Sequence, residues 1–345
     1  MEQQKRIYKM HSSLRFILIG AGSIGQRHLR NLQALGHEIV AVADPSLEKL
    51  TEIKSHIADG LLTQDENEAL EQKADAALIC SPTIFHLKQS QAAIRKGLHV
   101  FIEKPLSHTL EGTEEIVTEA DITKRVVLVG CNLRFFPSLR LVKQLLGEGR
   151  IGKPLSVQAK LGYYLPHWRP GTDYRTGYGA KQVAGGGIIL DSIHEFDYLR
   201  WLLGEVEEVF CYSGKVSTLE IDTEDNADIL LRFASGTVAN VHLDYLQRTY
   251  RRSCEFIGEE GVIVWDYIAQ TVTLYGKKDR YINVFLENIN TELNQMYIEE
   301  MKHFVACIQG REQSVLNASG ARAVLEIAVA AKTSAETGTI VKLNQ

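Results

Sequence analysis

A glycine-rich turn between a short apolar run and a helical pattern constrains the fold of this chain more than any other feature. Residues 16–19 are apolar, and the segment Gly20-Ala21-Gly22-Ser23-Ile24-Gly25 follows them directly. This order predicts a strand, a tight turn at Gly20 and a helix that packs closely on the strand at Gly25. Gly22 lets the backbone approach a pyrophosphate, to which the helix N-terminus presents N–H groups. The spacing predicts a dinucleotide site formed by Gly20, Gly22, Ser23, Ile24 and Gly25.

The second apolar run, residues 38–43, ends at Asp44, which lies 19 residues after Gly25. An acidic side chain at this point accepts hydrogen bonds from the adenosine ribose hydroxyls and repels a 2′-phosphate. The sequence therefore predicts NAD as the cofactor and disfavours NADP. The alternative is a structural glycine turn followed by a solvated aspartate.

Length and composition exclude several classes of protein. A chain of 345 residues is long enough for two domains, and a net charge of -5 argues against a nucleic-acid binder. The five cysteines include no C-x-x-C pair, which argues against a metal site or a disulfide framework and favours the cytoplasm. No apolar run reaches the roughly 20 residues that span a bilayer. Residues 1–13 lack the apolar core of a signal peptide and are expected to be a disordered extension.

Apolar runs alternate with helical patterns as far as residue 130, with strands at 76–80, 99–102 and 126–129 and helices near 47–57, 84–96 and 109–123. This alternation predicts a doubly wound parallel sheet. Further along, strands predominate, at 155–164, 207–215, 225–233, 237–246, 252–257 and 262–265, and helices follow at 293–308 and 320–336. The prediction is an α/β protein with a Rossmann domain over 14–131 and a C-terminal α+β domain over 132–345, built on a large, mostly antiparallel open sheet.

Glu103-Lys104-Pro105 directly follows a predicted parallel strand, at the sheet edge where ligands bind in doubly wound folds. Hydride transfer from an alcohol carbon needs a base for the hydroxyl proton and a positive group for the developing alkoxide. Lys104 can supply either, and we expect Glu103 to fix a neighbouring hydroxyl or amide. The alternative is a surface lysine before a turn proline.

Three glycines at 185–187 precede a helical pattern that contains Asp191 and His194. Residues three apart share one face of a helix, so these side chains are expected to lie together. Because a neutral imidazole is suited to proton exchange near neutral pH, His194 is the candidate general acid or base, and Asp191 is its candidate catalytic companion. The alternative is that His194 is a core histidine.

The segment 163–181 interleaves aromatic and basic residues with proline and glycine. Aromatic rings stack on sugars, and guanidinium groups pair with carboxylate or phosphate groups. The segment therefore predicts a substrate-binding loop, with candidate contacts at Tyr164, Trp168, Arg169, Tyr174 and Arg175. The alternative is that these aromatic residues pack a subunit interface.

Several of these motifs together resemble the Gfo/Idh/MocA oxidoreductases over residues 14–343. The matching segments are Gly20–Gly25 with His28, Cys80-Ser81-Pro82 with His86, Glu103-Lys104-Pro105, Asn132-Leu133-Arg134, and Gly185–Gly187 with Asp191, His194 and Asp197. In that family the aspartate and histidine are usually four residues apart, and here they are three apart.

The resemblance implies an NAD-dependent oxidoreductase that transfers a hydride to or from a secondary hydroxyl or ketone of a sugar, polyol or sugar derivative, amino sugars and nucleotide sugars included. It implies cofactor contacts at Ser81, Pro82, His86, Glu103 and Lys104, and substrate contacts at Arg134, Asp191 and His194. It also implies a homodimer or homotetramer formed through the C-terminal sheet.

Two other functions stay open at this point. The first is a regulator that senses NAD or a sugar without turnover, against which the intact Lys104 and His194 argue. The second is a glycosidase that retains NAD and cleaves its substrate through oxidation, elimination and re-reduction. Net accumulation of NADH would argue against that cycle.

Overall fold

The structure is a computed structural model that describes residues 13–57, 59–276, 282–286 and 292–343. Of the predicted disordered extension, residues 1–12 lie outside the described residues. The chain divides into two compact units. The first comprises Met1–Leu106, Gly112–Gly130 and Tyr297–Ala318, and the second comprises Ser107–Glu111, Cys131–Met296 and Ser319–Gln345.

The first unit contains a parallel six-stranded sheet. Its strands are β1 (Arg15–Ile19), β2 (Glu38–Ala43), β3 (Leu61–Thr63), β4 (Ala76–Ile79), β5 (His99–Glu103) and β6 (Val127–Gly130). Its helices include α1 (Ser23–Ala34), α2 (Leu47–Ile53), α3 (Glu66–Leu70), α4 (His86–Arg95) and α5 (Thr113–Thr123). The strand order β3-β2-β1-β4-β5-β6 confirms the predicted doubly wound sheet. Successive strands are added on one side of β1 as far as β3 and on its other side from β4 onwards. Ligands bind outside the carboxyl ends of the strands at such a switch point, here between β1 and β4.

The second unit contains a nine-stranded sheet. Its strands are β7 (Pro154–Gly162), β8 (Val206–Gly214), β9 (Asn226–Phe233), β10 (Val238–Asp244), β11 (Arg251–Gly258), β12 (Gly261–Asp266), β13 (Thr271–Gly276), β14 (Ile282–Leu286) and β15 (Val341–Lys342). The order is β14-β13-β12-β11-β7-β10-β9-β8-β15, and only the β7–β10 pair is parallel. The remaining helices are α6 (Pro137–Gly147), α7 (Ile188–Asp191), α8 (Ile193–Leu203), α9 (Asn294–Ile308) and α10 (Ala318–Thr337).

Side-chain alternation explains why this sheet has one covered face and one open face. In β9, Ala227, Ile229, Leu231 and Phe233 are buried, whereas Asp228, Leu230 and Arg232 between them are exposed. A period of two places these two sets on opposite faces of the sheet. The predicted large, mostly antiparallel open sheet is confirmed.

The predicted boundary between residues 131 and 132 needs two corrections. Most of α9 belongs to the first unit, because its apolar side joins the core of the parallel sheet. Phe304 is fully buried, with its ring 5.8 Å from Phe101 and 6.4 Å from Phe16. The amphipathic pattern of residues 293–308 identified a helix but not the sheet that the helix covers. The second correction is that Ser107–Glu111 belongs to the second unit.

Among the described residues, no helix combines the length and the apolar character that crossing a bilayer requires.

Candidate functional site

The glycine turn after β1 leaves space at one position and none at two others. Gly20 has φ +98°, and a Cβ there would lie 2.5 Å from the carbonyl carbon of Cys80. A Cβ at Gly25 would overlap the carbonyl oxygen of Gly20, so both positions exclude a side chain. At Gly22 an added Cβ would meet nothing within 4 Å. The sterics agree with the roles predicted for all three glycines.

The N-terminus of α1 lies at this open position. Gly22 is the N-cap residue and has no side chain to cap the helix, and Ser23 and Ile24 are its first two residues. The first N–H groups of a helix have no partner within the helix, and with the helix dipole they attract anions. The turn therefore fits the pyrophosphate of a dinucleotide.

Asp44 at the end of β2 has a structural role that the sequence did not indicate. Its carboxylate is 4% exposed, and its Oδ2 accepts a hydrogen bond from the Ala21 amide at 2.8 Å. Its Oδ1 accepts from the Ser46 amide at 2.9 Å. Asp44 therefore ties the glycine turn to β2. Each carboxylate oxygen can accept a second hydrogen bond, so the predicted contact with ribose hydroxyls remains compatible with this geometry.

His86 supports two loops from within the protein, and its predicted contact with the cofactor stays a prediction. The ring is 1% exposed, with Nδ1 at 2.8 Å from the Pro105 carbonyl oxygen and Nε2 at 2.9 Å from that of Ser81. Burial lowers the pKa of His86. Since both ring nitrogens lie against protein carbonyls, His86 joins the loop that follows β4 to the loop that follows β5.

Glu103 and Lys104 lie at the carboxyl end of β5. Glu103 Oε1 lies 2.6 Å from Nε2 of the fully buried His28, and its Oε2 accepts the Lys104 amide at 3.2 Å. The His28 ring packs edge-on against Phe101. This arrangement fixes the backbone at Lys104, whose side chain is half-buried. Sequence reasoning named His28 without assigning it this supporting role.

The segment with Asp191 and His194 is not one continuous helix, which corrects the prediction that they share a helix face. The helix breaks at Ser192 (φ -95°, ψ 25°), so Asp191 ends α7 and His194 lies in the first turn of α8. Asp191 is buried and His194 is half-buried. Because the two residues belong to different helices, a helical repeat does not set the relation of their side chains.

Tyr245 holds Asp191, and sequence reasoning missed it. Its hydroxyl donates to Asp191 Oδ2 at 2.5 Å, and the tyrosine is fully buried. Burial, with the charge of Asp191, raises the pKa of Tyr245 well above its usual value, so the hydroxyl keeps its proton at neutral pH. A Cβ at Gly179 would lie 2.7 Å from the same carboxylate oxygen, which explains that glycine. In the sequence Tyr245 is simply an aromatic residue near the end of a predicted strand, and no motif marks it as a partner of Asp191.

Glu224 supports the start of α7. Its backbone carbonyl accepts the Ile188 amide at 3.1 Å, and its carboxylate accepts the Ile189 amide at 3.3 Å. Gly187 has no side chain because this carboxylate occupies the place of a Cβ. Lys332 Nζ lies 3.8 Å from Glu224 Oε2, and burial raises the pKa of Glu224. Glu224 lies 33 residues after Asp191, so no local pattern could have identified it.

Arg134 forms a buried ion pair with Asp197, and its predicted contact with substrate stays a prediction. Its guanidinium donates to Asp197 through Nε and Nη2 at 2.7–3.1 Å, and both side chains are buried. Burial by itself lowers the pKa of Arg134, but the negative charge of Asp197 acts in the opposite direction, and the pKa is raised overall. The pair joins residues 132–135 to α8.

A cavity of about 230 Å³ in the second unit brings together part of the predicted substrate loop and Asp191. Trp168, Arg169, Tyr174, Tyr178 and Asp191 are among the residues that line it. Two of the predicted substrate contacts, Arg175 and Tyr164, instead contact other side chains of the protein. Arg175 pairs with Asp173 at 2.8 Å and Glu220 at 3.0 Å, and the Tyr164 ring carries the Arg248 guanidinium at 3.7 Å.

The described residues contain no cluster of three or more histidine, cysteine or acidic side chains that could hold a metal ion. The five cysteines are buried, and none of them forms a disulfide within the described part of the chain.

Comparison with known proteins matches both parts of the chain to one family. Residues 14–131 match the model described as "Oxidoreductase family, NAD-binding Rossmann fold", and residues 139–264 match the model of the GFO/IDH/MocA C-terminal domain.

Named relatives match over almost the whole chain. The myo-inositol 2-dehydrogenase of Thermotoga maritima is 30% identical, over 96% of this chain and 99% of that enzyme. The scyllo-inositol 2-dehydrogenase (NAD(+)) of Bacillus subtilis is 27% identical, over 97% and 98%. A solved levoglucosan dehydrogenase, in complex with NADH and levoglucosan, superposes with a TM-score of 0.88 at 22% identity, over 97% of this chain and 100% of that one. At that identity the likeness supports the fold.

Proposed function

This chain belongs to the Gfo/Idh/MocA oxidoreductases and carries their NAD-binding Rossmann domain, and we propose that it transfers a hydride between NAD and a secondary hydroxyl or ketone of a sugar, polyol or sugar derivative. The inositol dehydrogenases that it resembles are named for oxidation of a ring hydroxyl. The observation that carries the proposal is the cavity beside Asp191, whose carboxylate can accept a hydroxyl proton in a hydrogen bond and whose neighbours are aromatic.

The cofactor is held, in this proposal, by the glycine turn and by Asp44. The amides at the start of α1 would bind the pyrophosphate, for which Gly22 leaves space, and Asp44 would accept hydrogen bonds from the adenosine ribose. Ser81 and Pro82 lie in the loop that His86 supports, and Glu103, the last residue of β5, is held by His28. Bound NAD accepts or supplies the hydride.

The proton of the substrate hydroxyl is assigned to Lys104 and His194. The half-buried Lys104 supplies positive charge for the developing alkoxide, and the imidazole of His194 takes or returns the proton. Asp191, held by Tyr245, orients the hydroxyl that reacts. Tyr245 is a positioning residue, because it acts through Asp191.

The experiment replaces each candidate and separates turnover from cofactor binding. We expect Lys104→Met and His194→Ala each to lower kcat about 100-fold or more, with little change in the Kd of NAD, and Asp191→Asn to cost less. Lys96→Met is the matched control, since Lys96 is an exposed residue of the first unit that pairs with Glu71. Near-native turnover in His194→Ala would show that His194 has only a structural role and that Lys104 alone transfers the proton. Near-native turnover in both variants would refute the assignment.

Assembly and compartment belong to the same proposal. We propose a homodimer or homotetramer formed through the open face of the nine-stranded sheet, where Leu230 and Tyr212 are exposed. Buried cysteines that form no disulfide within the described residues are compatible with the cytoplasm. Light scattering of the wild type and of Leu230→Lys tests the interface, and an unchanged mass would count against it.

A further inference from the structure

We infer that the substrate carries an anionic group, and that Arg169 binds this group in the cavity beside Asp191. This inference rests on the proposed function and specifies it, since it narrows the sugar, polyol or derivative to an acidic sugar. Carboxylate and phosphate share the chemistry that a guanidinium recognises. The experiment below separates these two groups.

The two arginines of the loop differ in what they bind. Arg175 donates to both oxygens of Asp173 and to Glu220, and these hydrogen bonds raise its pKa. Two carboxylates therefore neutralise Arg175. Within the part of the chain that the structure describes, no carboxylate pairs with Arg169, and its guanidinium lies over the Tyr178 ring at 5.4 Å. Its five N–H donors remain available to a ligand.

The charges around the cavity give it a polarity. Arg169 contributes a free positive charge, and Asp173 in the lining is already paired with Arg175. Asp191 contributes a carboxylate that accepts the Tyr245 hydroxyl. An anion is therefore attracted to Arg169 and repelled by Asp191, whereas a hydroxyl can donate to Asp191. The matching ligand has an acidic group at one end and a hydroxyl at the other.

The walls and the volume fit a single sugar ring. Trp168 is held by a hydrogen bond from its Nε1 to the Tyr163 carbonyl at 2.9 Å and by edge-on contact with Tyr245. Trp168, Tyr174 and Tyr178 offer aromatic surface to a ring face. The cavity of about 230 Å³ is smaller than the roughly 300–1,000 Å³ typical of sites for drug-sized ligands. This size matches one acidic monosaccharide unit.

The experiment measures binding to the whole enzyme in the presence of NAD. Calorimetry gives the Kd of D-glucuronate and D-galacturonate against D-glucose and D-galactose, and of glucose 6-phosphate against glucose. The wild type should bind at least one acid about tenfold or more tightly than its neutral counterpart, because a charge-assisted hydrogen bond is gained. Arg169→Gln should abolish that preference, and Arg169→Lys should restore part of it. The matched control Arg150→Gln should keep the preference, because the exposed Arg150 pairs with Glu148 and does not line the cavity. Preference for the phosphate alone would assign the site to phosphorylated sugars, and preference for a uronate would assign it to carboxylates.

Three results would overturn the inference. They are equal affinity of the wild type for acids and neutral sugars, binding of no acid at all, and an unchanged preference in Arg169→Gln. NADH formation in the same samples separates this inference from the proposed function. Turnover of neutral sugars without acid preference would refute the inference alone, whereas acid preference with no NADH from any sugar would refute the proposed function alone.

Discussion

Replacing Gly22 with valine should abolish NAD binding while leaving the first unit folded. Gly22 has φ -66° and ψ 178°, a conformation open to any residue, and no heavy atom lies within 4 Å of an added Cβ. The valine side chain would occupy the open space over the N-terminus of α1. The pyrophosphate needs that space to reach the amides.

The expected magnitudes follow from this geometry. Without NAD, Gly22→Val should cost about 1 kcal/mol or less, because only the preference of the N-cap position is lost. That cost lowers Tm by about 2–4 °C for a unit of this size. The control is Gly25→Ala, whose Cβ would overlap the Gly20 carbonyl oxygen and should cost about 1–3 kcal/mol or more. The affinity for NAD should fall at least about 100-fold in Gly22→Val, since blocked approach removes several charge-assisted hydrogen bonds.

Thermal unfolding without cofactor and calorimetric titration with NAD test both parts of this prediction. Normal NAD affinity in Gly22→Val would show that the dinucleotide does not pass over this turn. Unfolding as severe as that of Gly25→Ala would show that the space at Gly22 is not open.

Three further predictions concern residues outside the turn. Because Asp44 ends β2, the wild type should bind NAD at least tenfold more tightly than NADP, about 1.4 kcal/mol, and equal Kd values by calorimetry would contradict this. Tyr245→Phe removes a buried donor from Asp191 and should lower kcat about tenfold, whereas the exposed Tyr212→Phe should have no effect on steady-state rates. Hydrogen bonds to Asp244 and Asp228 raise the pKa of His242, so its stabilising contribution is fully present below about pH 6.5 and is lost as the pH rises through the raised value. Urea unfolding should therefore separate wild type from His242→Gln at low pH and bring them together at high pH, and a constant difference would count against this.

Local steric rules made the nucleotide turn predictable. The order of β1, turn and α1 depends on glycine at 20 and 25, and both positions exclude a Cβ for reasons of backbone contact within the same motif or its neighbouring strand. The parallel and antiparallel sheets were predictable for a similar reason, because the spacing of strands and the alternation of their side chains can be seen in short stretches of the sequence. Strand β3 was not predicted, because it has only three residues and only Thr63 among them is buried.

Contacts between distant residues decided what the sequence could not show. The pairing of Arg175 depends on Glu220, 45 residues away, so two similar arginines in one loop have different roles. Asp191 is held by Tyr245 from a strand end 54 residues later. The helix breaks at Ser192, although no proline or glycine at that position marks the break in the sequence. The assignment of α9 to the parallel sheet depends on packing against Phe16 and Phe101, which a helical pattern does not specify.

Net hydride transfer is the central claim, and the stoichiometry of a complete reaction tests it most directly. The wild-type enzyme is mixed with NAD and a panel of polyols, neutral sugars and sugar acids, and NADH and carbonyl product are quantified together. We predict, for at least one of these substrates, one NADH formed for each hydroxyl oxidised to a ketone. Cleavage of a glycoside with no accumulation of NADH, or binding of NAD and sugar with no product, would contradict it.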